Sequence, residues 1–87
     1  MPYIKQEDRQ ALDPHIDALV NQLVVMSAGD GEVNYAITGI IRQLYLPISY
    51  HTLNRAIGLL ECIKQEFYRR VVAVYEQEKC EEHGEVY

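Results

Sequence analysis

The sequence predicts an all-α subunit of three main helices, the last of them long, forming an antiparallel helical bundle that self-association completes. Three features lead there. Apolar residues recur at spacings of three and four along most of the chain, helix breakers fall at only a few places, and the C-terminal helical stretch outruns what a subunit of this size can cover. At 87 residues the chain has interior for one core only, so it is read as a single helical domain spanning 1–87, with an N-terminal arm or short helix at 1–12 and a C-terminal tail at 83–87.

The first main helix is expected to start at Asp13-Pro14. Asp caps free amides, and Pro is preorganised for the first helical position. Ile16, Leu19, Val20, Leu23 and Val24 then share one face, and the helix should end near Ser27 or Ala28 with Gly29 as a left-handed stop. Asp30-Gly31-Glu32 opens a second helix to about Leu46, with Val33, Ile37, Ile40, Ile41 and Leu44 on one side and Pro47 ending it. Ser49 is the expected cap of the third helix, which meets no breaker before Gly84 and so spans about Tyr50 to Glu82. The short connections predict that consecutive helices are antiparallel neighbours.

Thirty-odd helical residues extend about 50 Å, whereas a compact chain of this length is roughly 30 Å across. The third helix must therefore protrude, and its far half is apolar. Leu53, Ala56, Ile57, Leu60 and Ile63 form a stripe that widens to about 160° through Phe67, Tyr68, Val71, Val72, Val74 and Tyr75 if the helix is straight. So wide a stripe implies two packing partners, and a second copy of the chain is the simplest cover. The expected oligomer contact is accordingly Phe67, Val71, Val72 and Val74. The tyrosine content agrees, since seven of the eight aromatic residues are Tyr, a side chain suited to half-buried contacts.

The composition, 48% hydrophobic and 24% charged, is that of a folded chain. No stretch approaches the roughly 20 apolar residues of a membrane span, and MPYIKQEDRQ lacks the apolar core of a signal peptide, so a cytoplasmic location without membrane contact is expected. Cys62 and Cys80 lie about 27 Å apart on one helix, beyond bridging distance. The net charge of −5 divides as −3 over residues 1–48, +2 over 49–75 and −4 over 76–87, so a polyanion is repelled at both ends.

Several chemical constellations can be drawn. Cys80 and His83 flank Glu81-Glu82, but one pair of ligands falls short of the four a structural zinc takes. Glu78/Glu81 and Glu82/Glu85 have the Glu-x-x-Glu spacing that helical pyrophosphatases use for magnesium, yet they sit at the fraying end of the last helix with no acidic partner helix. Ser27 and Ser49 fall at helix ends, where capping is the ordinary role. LPISYHTLNRAIGLL resembles a turn and recognition helix with His51, Thr52, Asn54 and Arg55 placed for base contacts, against the acidic character of the preceding helices. No catalytic residues, metal or cofactor are therefore assigned. One cluster stays open: Tyr68-Arg69-Arg70 holds the densest positive charge, and its arginines either pair with Glu66 on their own helix or meet an anionic group across a subunit contact. Glu61, Glu66, Tyr68, Arg69, Arg70 and Tyr75 form this candidate site.

The segments GEVNYAITGIIRQLY (31–45) and LNRAIGLLECIKQEFYRRVVAVYEQEKCEEHGEVY (53–87) resemble a group of small uncharacterised proteins of bacteria and their phages. Those proteins carry G-E-[LV]-N-Y-x-I-T, then E-C-x-K-x-E-F-Y-R-R-V-V-A-P-Y-E and an ending like E-N-G-D-V-Y. The shared positions include Gly31, Glu32, Asn34, Tyr35, Glu61, Cys62, Glu66 through Arg70, Tyr75, Glu76, Gly84, Val86 and Tyr87. Val74 stands where the pattern has Pro and His83 where it has Asn. The first departure implies that the third helix of related chains bends there. The resemblance implies no particular chemistry. The favoured reading is a non-enzymatic interaction or accessory protein that binds itself and, as an alternative, another protein. A small enzyme or anionic-ligand binder with a site between subunits is the runner-up, and a DNA-binding protein the third.

Overall fold

The computed structural model describes residues 3–87, which divide into two units, one ending at Pro47 and one spanning Ile48–Tyr87. Among the described residues every regular element is helical.

The first unit holds α1 (Gln6–Val25) and α2 (Asp30–Leu44). The expected start at Asp13-Pro14 does not occur. The helix begins at Gln6, with Glu7 and Asp8 in its first turn, and carries Pro14 in its interior. Acids at that end complement the helix dipole, and Pro14 is exposed, so the carbonyl one turn earlier that loses its donor opens to water. The expected arm at 1–12 begins outside the described residues, and from Gln6 onward it is this helix.

The end of α1 is also built differently from expectation. Ser27, not Gly29, takes the left-handed conformation (φ 52°). The Ala28 amide donates to the Leu23 carbonyl at 2.9 Å and the Ser27 amide to Val24 at 3.0 Å, the two bonds of a Schellman close. Gly29 is extended and caps α2, where the Glu32 carboxylate accepts its amide at 3.0 Å. α1 and α2 meet at this corner, where Val20, Leu23, Val24, Ala28 and Val33 line a shallow apolar notch.

The second unit is one helical run of 34 residues, Tyr50 to His83, as the sequence leads one to expect. Ser49 caps it: its hydroxyl accepts the Thr52 amide at 3.2 Å, a bond worth about 1 kcal/mol. Gly84 (φ 85°) ends it, a conformation glycine adopts without the steric cost of a Cβ. Within the run, α3 (Tyr50–Phe67) passes through a π turn (Tyr68–Val72) into α4 (Ala73–His83). The π turn is closed by the Ala73 amide reaching back five residues to the Tyr68 carbonyl. Thr52 and Ala56, one turn apart on α3, are the buried positions among the described residues. No described helix is long and apolar enough to cross a membrane.

The π turn ends two residues before Val74. A wider turn draws the preceding carbonyls away from the space a proline ring occupies. Val74→Pro is therefore expected to cost clearly less than the roughly 3 kcal/mol of an interior helix proline. Thermal unfolding followed by circular dichroism checks this, with Val74→Pro compared against Gly58→Pro in the regular part of α3.

Candidate functional site

The long helix carries both features singled out in the sequence, an apolar face and a charged cluster. A straight α-helix turns about 100° per residue, which would spread Phe67 to Tyr75 over two faces. The π turn accommodates about one extra residue, so everything beyond it lags by roughly 100°. That lag brings Val71 and Tyr75 back in line with Ile63 and Phe67, with Val72 on the flank. The wide stripe expected from a regular helix is thus one narrower face, and a single partner is enough to cover it. Val74 is the exception and turns to the edge. Ile63, Phe67, Val71 and Tyr75 remain 50%, 59%, 50% and 58% exposed, so the face is uncovered, while Val72 and Leu60 are half-buried.

The charged cluster centres on Glu66, whose carboxylate is largely enclosed, at 17% exposure, by the two arginines that follow it. Arg70 Nε donates to it at 2.6 Å from one turn on, and Arg69 donates to its other oxygen. The Arg70 hydrogen bond, reinforced by Arg69 and opposed by partial desolvation, holds the Glu66 carboxyl below its ordinary value. A carboxylate so depressed stabilises the fold above its unfolded value and loses that contribution as pH falls through the folded value. The stability gap between the native chain and Glu66→Gln is therefore expected to be widest at neutral pH and to close below about pH 4.5. Urea unfolding at a series of pH values measures it.

The other candidate residues form separate groups. Glu61 accepts from Gln65 at 3.2 Å and pairs with Lys64 at 3.1 Å, which lowers its carboxyl in the same way. The Tyr68 hydroxyl reaches across the π turn to donate to Glu76 at 2.8 Å, and that carboxylate raises the phenol above its ordinary value. Tyr75 receives the Lys79 ammonium over its ring at 5.5 Å. The structure thus brings Glu66, Arg69 and Arg70 together and leaves Glu61, Tyr68 and Tyr75 in contacts of their own.

Residues 1–86 match the family described as Domain of unknown function (DUF6899). The chain belongs to the DUF6899 family. No curated protein and no solved structure matches it.

In this DUF6899 chain the remaining constellations take local partners. Glu82 pairs with Lys79 at 3.1 Å, and the Cys80 thiol donates to Glu85 at 3.5 Å, which pushes that thiol up. Among the described residues no three of His, Cys, Asp and Glu converge as a metal site. Thr52, one of the four residues aligned for base contacts, is buried and bonded to Ser49, which withdraws it from any groove. Cys62 and Cys80 are both free thiols.

One surface of the DUF6899 chain was missed by the sequence analysis. On α2, opposite its apolar side, Asn34, Tyr35, Thr38, Gly39 and Arg42 line an open groove of about 780 Å³. Thr38 donates to Asn34 at 3.0 Å along it. Its signal is a second stripe at spacings of three and four, polar rather than apolar and broken by glycine at 31 and 39, which a search for apolar periodicity passes over.

Proposed function

We propose that this protein is a small homo-oligomeric helical interaction or accessory protein whose contact surface is the apolar face of the long helix. The observation that supports it is the exposure of one side chain per turn, Ile63, Phe67, Val71 and Tyr75, along a face the π turn keeps straight. Water-exposed apolar surface of that extent and regularity is what a partner helix covers. The engagement of Arg69 and Arg70 by Glu66 weighs against the alternative of an anionic-ligand site, because both guanidinium groups already hold a carboxylate. Another protein is the secondary partner in this reading, and neither membrane nor nucleic acid has a part in it. Free cysteines and the likeness of the C-terminal segment to proteins of bacteria and phages support a bacterial or phage source and a cytoplasmic place of action.

Sedimentation equilibrium or light scattering at micromolar concentration tests the reading. A mass at least twice the 10.1 kDa of the chain is expected. A single 10.1 kDa species across the micromolar range rejects it.

A further inference from the structure

The edges of the apolar face are charged unevenly from end to end. Residues 49–75 carry a net charge of +2 and residues 76–87 a net charge of −4. A parallel pair of such helices sets the two acidic ends side by side, whereas an antiparallel pair centred near Arg69 sets each acidic end beside residues 51–62 of the other copy, which carry Arg55 and Glu61 and no net charge.

We propose that two copies pair antiparallel along this face, about a two-fold axis passing close to Arg69. The proposal rests on the self-association reading and specifies its partner and orientation. With the axis there, a residue n places beyond 69 stands opposite the residue n places before it. Phe67 then meets Val71 of the second copy and Ile63 meets its Tyr75, large side chains against smaller ones as interdigitation requires. In antiparallel pairs each edge of one helix runs beside the same edge of the other. On one edge Lys64 lies beside Glu76 of the second copy. On the opposite edge Glu66 lies beside Arg70 of the second copy, so the two existing Glu66–Arg70 pairs join into a ring of four charges. Each contact occurs twice, as an isologous interface demands.

The exposed apolar side chains Ile63, Phe67, Val71 and Tyr75 form the middle of this contact, and the charged edges flank them. The π turn lies beside the axis, so the realignment it produces acts at the middle of the contact, where packing carries most weight.

Disulfide trapping separates the possibilities in a full-length chain with Cys62 and Cys80 replaced by Ser and its native mass confirmed. Oxidised mixtures of Ile63→Cys and Tyr75→Cys chains are expected to give a crossed 63–75 link. Neither variant alone should link, because in this register like positions lie about 18 Å apart along the axis. Links within each variant alone overturn the antiparallel pairing and leave self-association standing. A monomeric native chain overturns both. Charge reversal supplies an arm independent of cysteine chemistry: Lys64→Glu should weaken dimerisation roughly 3- to 10-fold, and Lys64→Glu with Glu76→Lys in one chain should restore it to within about twofold. Loss without restoration, at unchanged helix content by circular dichroism, overturns the register.

Discussion

Val71→Glu is expected to leave a folded monomer. Val71 sits mid-face, 50% exposed in the single chain, just past the middle of the long helix. In the monomer its replacement sits partly in water, where a carboxylate costs little. In the assembly the same carboxylate loses its water and faces Phe67 of the other copy, and symmetry doubles the penalty. Dimerisation should weaken by at least about 100-fold, which is roughly 2.7 kcal/mol. Light scattering reads the mass and circular dichroism the retained helix. A Val71→Glu chain that keeps native mass at low micromolar concentration would place the contact elsewhere, and Val74→Glu, at the edge, is expected to have the smaller effect.

A second substitution acts on folding instead. Ala56 is 5% exposed and lies one turn from buried Thr52, so Ala56→Asp puts an unpaired carboxylate where water is excluded. A loss of about 4 kcal/mol is expected, a large part of what a chain of this size has in total. The melting temperature should fall by more than about 15 °C, whereas Asn54→Asp, on an exposed position two residues away, should move it by no more than about 2 °C. Calorimetry on the two variants, side by side at one concentration, distinguishes the buried position from the exposed one.

The features that were legible in the sequence are those set by local chemistry. The Ser49 cap, the stop at Gly84 and the pairing of Glu66 with Arg69 and Arg70 follow from residue type and a spacing of three or four. The features that were not legible arise where two local preferences compete. Asp13-Pro14 has the chemistry of a helix start, but Glu7 and Asp8 give an earlier one, and an exposed proline does not stop the continuation. Gly29 is the better residue for a left-handed close, yet Ser27 takes it, leaving Gly29 in position to hand its amide to Glu32. The charged site was legible as a set of residues but not in its division into four groups, since the Tyr68–Glu76 bond spans eight residues and depends on the π turn. No residue in Tyr-Arg-Arg-Val-Val dictates that turn by its type. It is visible in sequence only as a mismatch between the apolar pattern and a regular helix, which was read as a wide stripe instead of a change of pitch.

That stretch makes helical regularity and surface quality separate properties of one rod. Substitutions that forced Tyr68–Val72 into ordinary four-residue hydrogen bonding at unchanged length would leave the chain no less helical. They would also swing everything from Ala73 onward out of phase, pointing Tyr75 away from Ile63. A better-formed helix would thereby become a poorer binding partner.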